Sequence, residues 1–224
     1  KRFAMAGPDF ADVRGAIFDM DGTLLDSMSI WETIGADYLR FCGIEPRPDL
    51  RERIRNMSLP QAARYYQSAY GLRKSEEEIL AGVNGMLARF YREQAALKPG
   101  AAGLLESLAR RGVRMCIATA TDRPLVETAL ERVGIRSRFE CIFTCSESGG
   151  KDAPHIYEAA LRRLGTPREQ TWVFEDALYA VRTARAAGFP VVGVFDRHER
   201  DTAQVARLSN LYVKNLAELE AYFH

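Results

Sequence analysis

Histidine and cysteine are scarce in this sequence, and neither is spaced as a metal site requires. The 224 residues include 3 His and 4 Cys, with no Cys-x-x-Cys pair. Zinc sites draw several such ligands from closely spaced positions, so we do not expect zinc here. The cysteines lie in apolar or strand-like surroundings, which predicts free, mostly buried thiols and a reducing, cytoplasmic location. They are Cys42, Cys116, Cys141 and Cys145.

The sequence also has no large excess of positive or negative residues and no long apolar run. Lys and Arg number 31 against 30 Asp and Glu, so no overall field favours nucleic acid or an anionic membrane surface. No apolar run approaches the ~20 residues of a membrane-spanning helix. The leading residues 1–5 are basic but lack the apolar core of a secretory signal. We therefore expect no nucleic-acid or membrane partner, and a monomer, with a dimer as the alternative.

What is present is the composition of a globular protein. Hydrophobic residues make up 47% and charged residues 27% of the chain, which is ordinary for a soluble protein. A length of 224 residues allows one large domain or two modest ones.

One stretch, residues 16–26, organises the chain. Its apolar beginning suits a strand buried on both faces, and Gly22 then gives the backbone freedom to turn sharply. Asp19 and Asp21 follow the strand directly, where open parallel sheets bind their ligands. Two carboxylates so close together require a cation or a shared proton to offset their repulsion.

These residue types suit phosphoryl chemistry. A carboxylate can attack phosphorus, and a second one nearby can exchange a proton with the leaving oxygen. Hard oxygen ligands favour Mg²⁺, which binds through one or two carboxylates together with substrate phosphate oxygens. The alternative is that the stretch is only a polar turn, because Asp, Gly and Thr are common turn residues.

The remaining pattern divides the chain into two domains. Residues 27–97 show helical periodicity without a strand signal, and Leu97-Lys98-Pro99-Gly100 marks the far boundary. From Ala101 onward helices and strands alternate, which is typical of a parallel sheet with crossover helices. A loop is expected at 146–151 and a last α-helix at Leu216–Phe223. The expected strands are 16–18, 113–118, 141–144, 172–174, 191–195 and 211–213. The sequence predicts an α/β core of residues 1–26 and 98–224 and an α-helical insert of residues 27–97.

Polar side chains follow four separate strands of the predicted sheet. Asp19 and Asp21 follow the first, Thr119 ends the second, Lys151 comes after the third, and Glu175-Asp176 ends the fourth. In a parallel sheet these ends share one edge. A phosphoryl group needs a nucleophile, a hydrogen-bond donor, a balancing cation and metal ligands, and these residues would supply all four.

Together these motifs resemble the haloacid dehalogenase superfamily, in the branch whose α-helical cap is inserted directly after the first motif. The family's Asp-x-Asp-x-Thr matches Asp19-Met20-Asp21-Gly22-Thr23, and its strand-ending Ser or Thr matches Thr119. Its lysine matches Lys151, and its Glu-Asp matches Glu175-Asp176. The resemblance covers nearly the whole chain and implies a Rossmann-like core with a cap domain.

The resemblance also implies a role for each matched residue. Asp19 would attack phosphorus to form an aspartyl-phosphate, and Asp21 would protonate the leaving oxygen and later activate water. Thr119 would donate a hydrogen bond to the phosphoryl group, and Lys151 would balance its charge. Thr119 and Lys151 would thus bind phosphate together with Gly22, Thr23 and Ala120.

The same resemblance implies a Mg²⁺ cofactor. Its ligands would be the Asp19 carboxylate, the Asp21 backbone carbonyl and the Asp176 carboxylate, with Glu175 acting directly or through water. Other interpretations stay open: Thr119 as a strand-end cap, Lys151 as a solvated loop lysine and Asp176 as a helix N-cap.

Four positions depart from the family pattern. The common Lys-Pro-x-Pro-Asp is here Lys151-Asp152-Ala153-Pro154-His155, and the common Glu-Asp-Ser-x-x-Gly has Ala177 and Ala180 instead of Ser and Gly. These changes affect the surroundings of the site, but they leave each principal residue in place.

The resemblance implies a phosphatase that acts on a small phosphorylated metabolite such as a sugar phosphate. One alternative is a β-phosphoglucomutase-like enzyme, although such mutases have a basic residue after a Gly-x-Ser turn. The matching stretch, residues 56–60, has no basic residue after Ser58. A catalytically silent binding protein of the same fold is a further alternative, because fold alone does not establish function. Arginines 47, 51, 53 and 55 of the insert are interpreted as a solvated helix face.

Overall fold

The computed structural model describes residues 7–55 and 57–223. The basic leading residues 1–5 and Asn56, the first residue of the stretch compared with mutases, lie outside this range. The described chain forms two compact units. One contains the residues up to Asp26 together with those from Ala96 onward, and the other runs from Ser27 to Ala95.

The first unit is built on a six-stranded parallel sheet with the order β3-β2-β1-β4-β5-β6. β1 lies near the middle, between β2 and β4, and all four of its residues are buried. Because the strands are parallel, their carboxyl ends lie along one edge. The strands are β1 (Gly15–Phe18), β2 (Arg114–Thr119), β3 (Cys141–Thr144), β4 (Thr171–Glu175), β5 (Val191–Val194) and β6 (Leu211–Val213).

Ten α-helices are described. α1 to α4 belong to the second unit, and α5 to α10 belong to the first. α8 packs against β1, β2 and β3, while α9 packs against β4 and β5, so apolar helix faces cover the sheet. The helices are α1 (Met28–Phe41), α2 (Leu50–Ile54), α3 (Leu59–Tyr70), α4 (Glu76–Glu93), α5 (Ala101–Arg110), α6 (Arg123–Arg132), α7 (Cys145–Ser148), α8 (His155–Leu164), α9 (Leu178–Ala186) and α10 (Thr202–Leu208).

Two helices of the helical unit, α3 and α4, begin with side-chain caps. Ser75 Oγ accepts from the backbone N–H of Glu78 at 3.1 Å, and the Glu78 carboxylate accepts from the backbone N–H of Ser75 at 2.8 Å. A second capping box at Ser58 begins α3. The four arginines interpreted as a solvated face are all exposed, and Arg53 forms an ion pair with Asp49.

Some local expectations are wrong. The predicted loop 146–151 begins inside the short helix α7, and the predicted last helix is a 3-10 helix, Leu216–Phe223. All four cysteines are free, but only Cys116 is buried and the other three are half-buried. None of the helices in the described part of the chain has the length and apolar character needed to cross a membrane.

Candidate active site

Asp19 lies immediately after β1, in a loop closed by backbone hydrogen bonds. Its own N–H donates to the carbonyl of Phe174 at 3.0 Å, which continues the pairing of β1 with β4. The loop then folds back, because the N–H groups of Leu24 and Leu25 both donate to the Met20 carbonyl at 3.0 Å. Gly22 has a φ of 81°, a left-handed conformation that favours glycine, so the sharp turn depends on this residue.

Lys151 joins two carboxylates from neighbouring strands. Its Nζ donates to Asp19 Oδ1 at 2.7 Å and to Glu175 Oε1 at 2.6 Å. The lysine side chain is only 3% exposed, which contradicts the alternative of a solvated loop lysine. Burial acts to lower the pKa of Lys151, but the charges of Asp19 and Glu175 outweigh it and raise the pKa well above its usual value.

Glu175 has two carboxyl oxygens in different environments. Oε1 accepts from Lys151 and from the Tyr157 hydroxyl at 3.0 Å. Oε2 is buried and has no hydrogen-bond partner among the described residues. Tyr157 was not among the residues singled out from the sequence, because an aromatic residue on the apolar face of α8 looks like an ordinary core residue.

A buried threonine links the two carboxylates expected to bind metal. Thr23 Oγ1 lies 3.1 Å from both Asp19 Oδ2 and Asp176 Oδ1. Asp19, Glu175 and Asp176 each have one carboxylate oxygen that lies within 4.8 Å of the other two. Asp176 is not the N-cap of α9; Ala177 holds that position, and it has no side-chain cap.

This cluster fits a divalent cation. Burial, followed by the charge of Asp19, raises the pKa of Glu175 to about 7, and the same two causes raise the pKa of Asp176 well above its usual range. Ionised carboxylates therefore destabilise one another here, and a cation would offset that repulsion. The unpartnered Glu175 Oε2 provides a free oxygen donor, and an all-oxygen set is the kind that Mg²⁺ prefers.

A pair of threonines connects Asp21 to the end of β2. Thr121 Oγ1 donates to Asp21 Oδ2 at 2.6 Å, and the Thr121 N–H donates to Thr119 Oγ1 at 3.1 Å. Thr119 therefore does take part in a strand-end turn, and both threonines are buried. Thr121 lies two residues after the matched position, but no pattern in the sequence assigned it a role.

The other sequence-derived positions lie around this edge. Ala120 is exposed, and the buried Gly22 accepts a hydrogen bond from Lys98 through its carbonyl. Of the four departures from the family pattern, Asp152 and His155 are exposed, Ala177 is half-buried and Ala180 is fully buried.

Comparison with known proteins identifies the family. The family model for haloacid dehalogenase-like hydrolases matches residues 13–188, which is most of the chain. The chain belongs to the haloacid dehalogenase-like hydrolases. This membership confirms the family and the enzyme class expected from the motifs, and the parallel sheet with flanking helices confirms the α/β fold.

Similar proteins include one named as a phosphatase and one named as a mutase. The Thermotoga maritima phosphorylated carbohydrates phosphatase is 27% identical over 79% of this chain and 82% of its own length. A Mycobacterium bovis β-phosphoglucomutase is 27% identical over 92% and 91%. The crystal structure of CbbY from Rhodobacter sphaeroides in complex with phosphate has a TM-score of 0.73 at 24% identity and covers 92% of this chain and 96% of that one, a likeness of fold.

Proposed function

We propose that this hydrolase is a Mg²⁺-dependent phosphatase that cleaves small organic phosphomonoesters through an aspartyl-phosphate on Asp19. The observation that carries the proposal is the position of Lys151 between Asp19 and Glu175, with Asp176 in the same cluster. A nucleophile, a fixed positive charge and oxygen ligands then share one edge of the sheet, as phosphoryl transfer requires.

In the first step an Asp19 carboxylate oxygen attacks phosphorus, and the bond from phosphorus to the ester oxygen breaks. Asp21 gives its proton to the departing oxygen, so that the alcohol leaves in neutral form. Lys151 and the Thr119 hydroxyl stabilise the charge on the phosphoryl oxygens. Thr121 Oγ1 donates a hydrogen bond to Asp21 Oδ2 and thereby orients the Asp21 side chain.

In the second step water attacks the phosphorus of the aspartyl-phosphate. Asp21, now ionised, takes the proton from this water, and inorganic phosphate and the Asp19 carboxylate are released. Asp21 is thereby protonated again and ready for another cycle.

The carboxylates of Asp19 and Asp176, the backbone carbonyl of Asp21 and the free oxygen of Glu175 would hold Mg²⁺. When bound, Mg²⁺ supplies positive charge that offsets the negative charge of the carboxylates and of the phosphoryl oxygens.

The substrate class is proposed as sugar phosphates or similar small metabolites. The relative named as a phosphatase of phosphorylated carbohydrates favours this class. The helical unit, residues 27–95, comes directly after the loop that follows Asp19 in the chain, and it is proposed to select among such substrates.

The proposal is tested by phosphate release from p-nitrophenyl phosphate and from a panel of metabolite phosphates, with and without Mg²⁺. We expect Mg²⁺-dependent turnover that Asp19→Asn abolishes, because an amide is not a competent nucleophile. Asp12→Asn is the matched control, since Asp12 is exposed and lies before β1. Unchanged Mg²⁺-dependent turnover in Asp19→Asn would remove Asp19 from the role of nucleophile.

A phosphosugar mutase is the second candidate, favoured by the relative named β-phosphoglucomutase. It would return the phosphoryl group to a sugar, and its activity would depend on a bisphosphorylated sugar. The absence of a basic residue directly after Ser58 in the sequence argues for the phosphatase. A silent binding protein would neither release phosphate nor bind beryllofluoride with Mg²⁺.

A further inference from the structure

Lys98 matches none of the sequence motifs, yet its ammonium group has a complete set of acceptors. Nζ donates to the carbonyl oxygens of Gly22 and Phe195, the second at 2.9 Å, and lies 2.8 Å from Asp196 Oδ2. The Lys98 side chain is 11% exposed. Because an ammonium group has three N–H donors, these three acceptors fix its position.

Asp196, the carboxylate partner of Lys98, is oriented by contacts with His198. Its other oxygen, Oδ1, accepts from the backbone N–H of His198 and contacts the His198 ring nitrogen Nδ1, both at 2.9 Å. Burial acts to raise the pKa of Asp196, but hydrogen bonds from Lys98 and His198 outweigh it and lower the pKa overall. Lys98 and Asp196 therefore form a charged pair in a mostly buried place, where removing one partner leaves the other uncompensated.

The backbone around Lys98 also forms hydrogen bonds with the loop that follows Asp19. The Lys98 N–H donates to the Leu24 carbonyl at 2.8 Å, and the Asp26 N–H donates to the Ala96 carbonyl at 2.9 Å. Residues 24–26 and 96–98 thus form a short antiparallel pair. Lys98 consequently contacts the loop twice, with its backbone at Leu24 and with its side chain at Gly22.

We propose that Lys98 is a positioning residue that fixes the loop 20–25, and with it the backbone of Asp21, against the segment that follows β5. The catalytic part of this inference rests on the proposed function. Lys98 acts through the Gly22 carbonyl, one residue after Asp21. A misplacement of about 1 Å in a catalytic group costs on the order of 10²-fold in rate.

The structural part is tested without any activity, by amide hydrogen exchange of the folded protein. Lys98→Met removes the ammonium group and keeps most of the side-chain length. We expect faster exchange at Gly22, Leu24 and Leu25, whose N–H groups close the loop. Lys74→Met is the matched control, because Lys74 is exposed and lies in the helical unit. Unchanged exchange in folded Lys98→Met overturns the inference.

The catalytic part is tested by kinetics on an alkyl phosphate, whose leaving oxygen needs the proton of Asp21. We expect Lys98→Met to lower kcat about tenfold or more while KM changes less than about threefold, because the loop carries catalytic groups. Lys98→Arg, which keeps the charge and can donate to the same carbonyls, should recover part of kcat. An unchanged kcat in a variant with faster loop exchange overturns the catalytic role.

A folding failure of the variant and a failure of the proposed function can both be distinguished from a failure of the inference about Lys98. If Lys98→Met does not fold, Lys98→Gln retains two N–H donors for the carbonyls of Gly22 and Phe195, and the same exchange and kinetic criteria apply to it. If the wild-type protein shows no Mg²⁺-dependent phosphatase activity, the proposed function fails, and hydrogen exchange alone decides whether Lys98 holds the loop.

Discussion

The buried charges of the site do not balance by themselves. Asp19, Glu175 and Asp176 bring three carboxylates together, and Lys151 is the ammonium group that contacts two of them. When all are ionised, three negative charges and one positive charge leave a net charge of −2 in this cluster. A divalent cation has the charge that cancels this remainder, which supports the Mg²⁺ proposed for this site.

The first prediction concerns Thr121, whose hydroxyl group donates a 2.6 Å hydrogen bond to the Asp21 carboxylate. Thr121→Val keeps the shape of the side chain but removes the hydroxyl group that orients the proposed acid. We expect kcat/KM to fall about tenfold for an alkyl phosphate, part of the 10²–10⁴ that a general acid contributes. The fall should be smaller for p-nitrophenyl phosphate, because its phenolate leaves without a proton.

The comparison of leaving groups separates orientation of the acid from general damage. Thr121→Ser retains a hydroxyl group and should restore most of kcat/KM for the alkyl phosphate. Loss of stability alone would reduce both substrates equally. An equal reduction in Thr121→Val, for both substrates and at matched fractions of folded protein, contradicts the orienting role.

Helix α9 has no side-chain hydrogen bond from its own N-cap residue, and a glutamate from another part of the chain accepts one at the helix start instead. Its N-cap is Ala177, whose side chain cannot accept a hydrogen bond, whereas the family pattern described above has serine at this position. Glu199 lies elsewhere in the chain, and its Oε2 accepts from the Leu178 N–H at 3.0 Å. This carboxylate satisfies a free N–H at the helix start and complements the helix dipole.

The second prediction concerns this replacement. Glu199→Ala should lower the free energy of unfolding by about 1 kcal/mol, the usual effect of losing an N-cap. Adding Ala177→Ser should recover much of that loss, because Ala177 has the extended conformation of an N-cap with φ −88° and ψ 128°. Urea unfolding of both variants measures this.

The matched control is Glu169→Ala, at an exposed glutamate that lies outside α9. It should leave the free energy of unfolding nearly unchanged. If Ala177→Ser stabilises the wild-type protein as much as it stabilises Glu199→Ala, the two side chains do not substitute for each other, and Glu199 is not the cap.

The sequence predicted whole elements better than their ends. Apolar runs located all six strands, because a buried parallel strand needs such a run, and the strand ends located Asp19, Thr119, Lys151 and Glu175. The 3-10 form of Leu216–Phe223 was missed, since its apolar spacing also fits an α-helix. Tyr157 and Lys98 were missed because their partners are distant in sequence, and only the folded chain brings them together.

At the scale of the whole molecule, strand order places the site. β1 pairs with β2 and β4, so the residues after β1 lie between the carboxyl ends of both neighbours. The chain reaches these three strands at widely separated positions, and closing such long loops opposes folding. A ligand that binds groups from β1 and β4 together therefore binds only the folded chain, and it should stabilise the molecule as a whole.

Mg²⁺ should accordingly raise the midpoint of thermal unfolding. At a Mg²⁺ concentration of ten times Kd, the expected gain is about 1.4 kcal/mol. For a chain of this size that corresponds to about 3–6 °C. Asp176→Asn removes a proposed ligand at the end of β4 and should abolish most of the shift, whereas the exposed control Asp12→Asn should keep it. Calorimetry with and without Mg²⁺ measures the shift, and an equal shift in Asp176→Asn would mean that the ion stabilises the protein from elsewhere.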